Sequence, residues 1–153
     1  MKKTVAILLA LLMLCGCALA EETVLFEGDG FSLRCPAEWA VSGRKMPVTF
    51  DGESGILVLT ANDLGAAYTA RDLLDLKIPT IIQNIMAGGD GTVYLDPGSV
   101  VLLGTYEMVQ TRFTRGGTEY YQYFCPVGEL VYQFTMTGSP ELIREVLSSF
   151  TAY

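Results

Sequence analysis

Between residues 107 and 137 the chain alternates apolar and polar side chains in three runs of strand length, 107–114, 119–125 and 130–137. The turns between them, Arg115-Gly116-Gly117-Thr118 and Pro126-Val127-Gly128-Glu129, supply the glycines that tight reversals need. Period-two alternation joined by turns this short predicts an antiparallel meander, because a parallel pair needs a crossover of about a dozen residues. In the last run Leu130, Tyr132, Phe134 and Met136 share one face, the expected core side, and Val131, Gln133, Thr135 and Thr137 share the other. The most unusual stretch is Tyr120-Tyr121-Gln122-Tyr123-Phe124. Alternation sends Tyr121, Tyr123 and Cys125 to one face and Tyr120, Gln122 and Phe124 to the other. A strand with aromatics on both faces is expected at the centre of a covered sheet. The functional alternative makes Tyr121 and Tyr123 an exposed platform for a partner, with Arg112 and Arg115 beside them as anion contacts.

Upstream, residues 24–26, 27–30 and 31–35 read as strand, turn, strand, and 48–50 with 56–60 as a second hairpin around Asp51-Gly52-Glu53-Ser54-Gly55. Pro36-Ala37-Glu38-Trp39 makes a corner whose tryptophan is expected to drop onto the core. Thr69 and Asp72 form a capping signal, after which Leu73, Leu74, Leu76, Ile78, Ile81, Ile82 and Ile85 recur at helical spacing. Pro79 removes a backbone hydrogen bond from this stretch and predicts a kink or a break into two short helices, ended by Gly88-Gly89. Short strands are expected at 93–95 and 100–103. Ser139-Pro140-Glu141 opens a final helix whose stripe is Leu142, Ile143, Val146, Leu147 and Phe150. No repeat or linker divides residues 21–153, so one α+β domain is expected, an antiparallel β-sheet flanked by helices.

Residues 1–20 read as an export signal: Lys2 and Lys3, an apolar run over 5–14, then small residues. The run is too short to span a bilayer, which takes about 20 residues. Two processing routes are open. Ala18-Leu19-Ala20 is a small-x-small cleavage site, and Leu14-Cys15-Gly16-Cys17 resembles a lipobox that would lipidate Cys17, although Cys15 stands where such boxes carry Ala, Ser or Thr. Either route places the protein outside the cytoplasm, secreted or membrane-anchored through Cys17 alone. Cys35 and Cys125 then remain, 90 positions apart and each followed by a proline that suggests a strand end. They form either a disulfide in an oxidising compartment or two separate buried thiols.

Of the 153 residues none is histidine, which removes Ser-His, Cys-His and His-metal chemistry. The formal charge of −7 becomes −9 once Lys2 and Lys3 leave with the leader. Such an acidic chain is a poor binder of nucleic acid, whose affinity comes largely from Lys and Arg. The glycine-rich 87–92 segment follows a helix and lacks a following Lys-Ser or Lys-Thr, so it reads as a helix stop and not as a phosphate loop. Asp90 and Asp96 lack the ligand spacing of a calcium loop, and two thiolates without histidine cannot complete a zinc site. No metal or cofactor is expected. The acid pairs Asp51/Glu53 and Asp72/Asp75 keep a carboxylate-dependent envelope hydrolase open as an alternative. Lys45 and Lys77 stand beside no serine in a dyad motif.

Three strings, GFSLRCPAEW, ELVYQFTMTG and SPELIREVLSSF, with a helical stretch between them, resemble the PsbP-like superfamily. That superfamily includes the extrinsic photosystem II subunit and DcrB-type bacterial lipoproteins. The resemblance runs from about Phe26 to Phe150 and implies an α/β/α sandwich that is exported, often lipid-anchored, and acts by binding or assembly. It transfers no catalytic residue, and the histidines that bind metal in the plant subunit have no counterpart here. Cys35, Cys125 and Pro79 lie outside the pattern. The expected function is an exported binding or accessory module without catalysis, serving an unknown protein or small-molecule partner; a purely structural envelope component is a further alternative.

Overall fold

The structure is a computed structural model that describes residues 22–153. The leader, its two cleavage routes and Cys17 lie outside the described residues. The described residues open with a hairpin, β1 (Thr23–Gly28) and β2 (Phe31–Pro36), in register from Thr23↔Pro36 to Gly28↔Phe31. A short β3 (Ala40–Val41) leads to the second hairpin, β4 (Val48–Gly52) and β5 (Gly55–Asp63). Two helices follow, α1 (Ala70–Leu76) and α2 (Ile78–Ala87). Thr69 and Asp72 cap α1 reciprocally, as their spacing requires. The break expected at Pro79 falls at Lys77, which puts the proline in the first turn of α2, where its missing N–H has no helical partner to lose.

Short strands β6 (Val93–Tyr94) and β7 (Ser99–Leu103) precede the meander β8 (Tyr106–Arg115), β9 (Thr118–Val127) and β10 (Leu130–Met136). Helix α3 (Pro140–Ser148), N-capped by the Ser139 hydroxyl on Leu142 N, and a two-residue β11 (Thr151–Ala152) close the chain. Strands β8 and β9 are longer than the sequence suggested, because the turns shrink to Gly116-Gly117 and Gly128-Glu129, while β10 starts where expected and ends one residue early, at Met136. Cys125 does not end its strand. Pairing of β8 with β9 stops at Val109↔Phe124, so Pro126 stands where only β10 flanks the chain and a missing donor is tolerated.

All strand pairs are antiparallel. Eight strands form one sheet in the order β3-β4-β5-β10-β9-β8-β6, with β7 also on β8, and β1-β2-β11 form a second sheet. One face of the large sheet carries Phe50, Leu57, Leu59, Phe134 and Met136 against Phe31 and Leu33 of the small sheet and Ile143, Val146 and Leu147 of α3. Phe150 is central to this core, its ring within 4.9–6.5 Å of those of Phe31, Tyr106, Tyr132 and Phe134. Trp39 is buried there as expected and donates its indole N–H to Ser54 Oγ at 2.9 Å. The opposite face packs Val109, Phe124 and Val131 under Ala70, Leu73 and Ile78 of the α1–α2 pair. The large sheet is thus covered on both sides, in an α+β arrangement.

Candidate functional site

Strand β9 sits between β8 and β10, so its two rows of side chains line the two faces of the large sheet. On the α3 side the cross-strand rows run Gln110–Tyr123–Phe134 and Arg112–Tyr121–Met136. Tyr121 and Tyr123 line a concavity of about 340 Å³ with Gln110, Leu103 and, from α3, Pro140 and Arg144. Tyr123 is only 6 % exposed and Tyr121 is half-buried, so they form the inner wall of a groove and not an exposed platform. Burial, reinforced by the neighbouring Tyr121, pushes the Tyr123 phenol up to about 12, while Arg144 pulls the other way. At neutral pH the Tyr123 phenol is therefore an uncharged hydrogen-bonding group.

Arg112 stands directly opposite Tyr121 on β8 but does not line the groove. Its guanidinium contacts Asp96 at 3.0 Å and Glu119 at 3.3 Å, and the hydrogen bond to Asp96 is the main reason its pKa rises. The cation on the groove lining is Arg144. It lies more than 20 residues away on the polar side of the last helix, where no local pattern marks it as a neighbour of β9.

On the α1–α2 side the rows run Val109–Phe124–Gln133–Thr60 and Thr111–Gln122–Thr135–Val58. A second cavity of about 300 Å³ opens over these residues, bounded by Tyr94, Phe113 and Arg115 and roofed by Ile85 of α2. Tyr94 Oη donates to Gln122 Oε1 at 2.7 Å, and Thr111 Oγ1 reaches the same oxygen at 3.4 Å. Burial also pushes the Tyr94 phenol up to about 12. Arg115 is tied to Asp90 at 2.9 Å and donates to Thr92 Oγ1 at 2.8 Å. Asp90 is held below the usual carboxylate range, first by hydrogen bonds from Thr92 and then by Arg115. Sequence reasoning placed Gln122 on this face but missed the site, because its wall gathers residues from five strands and a helix.

Of the acid pairs singled out in the sequence, Asp72 and Asp75 are engaged within α1. Asp72 caps α1, and its hydrogen bonds with Thr69 hold it below the usual range. Asp75 faces Arg71 at 3.0 Å across one helical turn. Near the Asp51/Glu53 turn it is Glu38 that is engaged, accepting from Ser54 Oγ and the Ser54 and Glu53 amides, bonds that lower its pKa. Among the described residues no three His, Cys, Asp or Glu side chains are grouped to hold a metal ion.

Cys35 on β2 and Cys125 on β9 are free thiols buried in the larger core. The disulfide that the sequence allowed is not formed, and the alternative of two separate thiols is the arrangement observed. Burial raises both pKa values, with help from Glu38 at Cys35, and to about 12 at Cys125. Neither is a nucleophile near neutral pH. Among the described residues no helix is long and apolar enough to cross a membrane.

No protein-family model matches the chain, and no curated protein sequence matches it. Solved structures do. Cyanobacterial PsbP (CyanoP) of Synechocystis sp. PCC 6803 superposes with a TM-score of 0.57 at 16% identity, over 91% of this chain and 97% of that one. LpqN of Mycobacterium tuberculosis, involved in cell envelope biogenesis, gives 0.51 at 14% identity over 85% and 90%. A Bacteroides thetaiotaomicron protein gives 0.53 at 18% identity over 88% of this chain but 49% of its own, so the chain spans about half that length. An antiparallel sheet sandwiched between a helical pair and a helix-plus-hairpin layer defines the class. Within it, the chain has a PsbP-like fold.

Proposed function

We propose that the chain is an exported accessory module of the cell envelope that holds a partner and carries out no chemistry of its own. The groove lined by Gln110, Tyr121, Tyr123 and Arg144 carries this reading. It combines flat aromatic walls, neutral polar tips and one cation, with Leu102 on its lining and 68 % exposed. That chemistry suits a partner segment bringing an apolar side chain together with a carboxylate or carbonyl. The export signal and the printed role of LpqN in envelope biogenesis support the setting. The short reach from Cys17 to β1 would keep a lipidated form close to the membrane surface.

The test is cross-linking and capture from envelope extract with the exported protein, repeated with Arg144→Glu and Tyr121→Ala. Both variants should keep the wild-type circular dichroism and lose the captured species. Capture that survives both changes would move the binding surface elsewhere, and turnover of any substrate lost on neutralising one acid would replace the reading by an enzyme. Intact mass of the exported protein distinguishes a lipidated Cys17 from cleavage after Ala20.

A further inference from the structure

Gln122 is 3 % exposed, a position where an amide is kept only if its hydrogen bonds are met. Its two hydrogen bonds, from Tyr94 and Thr111, both end on Oε1. Among the described residues no side-chain nitrogen or oxygen sealed from solvent lacks a partner, so the Gln122 amide protons are reached from the cavity its side chain lines. Around them stand the Gln133 amide and the hydroxyls of Thr60 and Thr135, three half-buried polar side chains on a sheet face otherwise covered by helices. The half-buried Tyr94 ring closes one side, backed at 5.3 Å by Phe113, which is itself stacked on Tyr120 at 5.0 Å with the Arg115 guanidinium 5.6 Å over its ring.

The lining carries no free charge. Arg115 is its one cation and is already paired with Asp90 at 2.9 Å. An anion would have to displace that aspartate, and a cation would meet the guanidinium. What the cavity offers is a set of amides and hydroxyls that both donate and accept, beside an aromatic face, in about 300 Å³, the small end of the range for ligand sites. A molecule that answers all of these at once is a ring edged with hydroxyls and bearing an apolar C–H face.

We propose that this cavity binds a single uncharged sugar ring, with its hydroxyls on Gln122, Gln133, Thr60 and Thr135 and its C–H face toward the half-buried Tyr94 ring. It is a separate site from the Tyr121–Tyr123 groove, on the opposite face of the large sheet, so either proposal can fail without the other.

Isotope-labelled exported protein is titrated by NMR with methyl β-glucoside and with methyl N-acetyl-β-glucosaminide, and separately with inorganic phosphate. At least one glycoside should shift the side-chain amide signals of Gln122 and Gln133 at up to tens of millimolar, leaving the Tyr121 and Tyr123 amides in place. Phosphate should not. Gln133→Leu should weaken binding roughly five- to tenfold, the loss expected of one hydrogen bond. Should that variant misfold, Thr135→Val supplies the same test while nearly preserving side-chain shape. No shift of the two glutamine amides with either glycoside would overturn the proposal, as would equal shifts with phosphate or unchanged affinity in a folded variant.

Discussion

Tyr94 and Gln122 show how one residue sets the behaviour of another. The Tyr94 hydroxyl makes the shorter of the two bonds to Gln122 Oε1, so Tyr94→Phe leaves that buried oxygen with only the 3.4 Å contact from Thr111. A loss of about 1 kcal/mol is expected, read as a lower urea midpoint with unchanged slope. The same phenol makes a pH prediction, together with Tyr123. Burial pushes both up to about 12 in the folded chain, against an ordinary tyrosine value of about 10. Below that ordinary value both are protonated in either state and stability does not depend on their titration. As pH climbs from 10 towards 12 the unfolded chain releases protons that the folded one retains, so stability falls. Ultraviolet titration of the folded protein should show Tyr94 and Tyr123, with Tyr132 whose phenol burial also raises, ionising late and then together with unfolding. Cys125, pushed up to about 12, should resist alkylation at neutral pH until the chain is denatured. Arg112 was the residue least legible in the sequence. Its position on the strand was read correctly, but the acids that hold it, Asp96 from the loop before β7 and Glu119 from the next strand, are brought to it only by the sheet.

Elements were legible wherever a local signal settles them. The reciprocal cap at Thr69 and Asp72, the Ser139-Pro140 start and the two-sided pattern of β9 each follow from neighbours within a few positions. The pairing of β5 with β10 does not, since it joins residues some 70 positions apart, and no turn announces it. Both cavities depend on assembly at this level: the β5–β10 pairing brings Thr60 beside Gln133, and α3 brings Arg144 beside Tyr121. The return from β7 to β8 depends on Gly104, which sits at a φ of +60° and so close to α3 that a Cβ would strike the Ser148 carbonyl oxygen. Gly104→Ala therefore combines backbone strain with a clash and should destabilise by about 2 kcal/mol or more. Ser139→Ala, which removes only the α3 cap, should lower stability by about 1 kcal/mol. Thermal melts of the two variants should rank in that order, and the reverse ranking would mean that the β7–β8 turn can move away from α3.

At the scale of the molecule, two cores of unequal size share one sheet. The larger includes Trp39, Phe134 and Phe150; the smaller rests on Leu73 and Ile78 above Val109, Phe124 and Val131. The α1–α2 pair buries few side chains and leaves Leu76 and Met86 exposed, which would favour independent melting of that layer if its strands had no other duty. They do have one. Strands β8, β9 and β10 place Met108, Tyr123 and Phe134 in the larger core and Val109, Phe124 and Val131 in the smaller, alternating residue by residue. Opening the larger core removes the sheet on which the helices lie. Loss of the helices exposes Phe124 and Val131 to water and weakens the same strands. The two faces should therefore unfold as one cooperative unit. Trp39 fluorescence reports the larger core, and the absorbance of Tyr94, isolated by comparison with Tyr94→Phe, reports the helical side. Their urea midpoints should coincide. An earlier transition at Tyr94 would show that the helical layer and its sugar-sized cavity open on their own, leaving the Tyr121–Tyr123 groove on the surviving sheet.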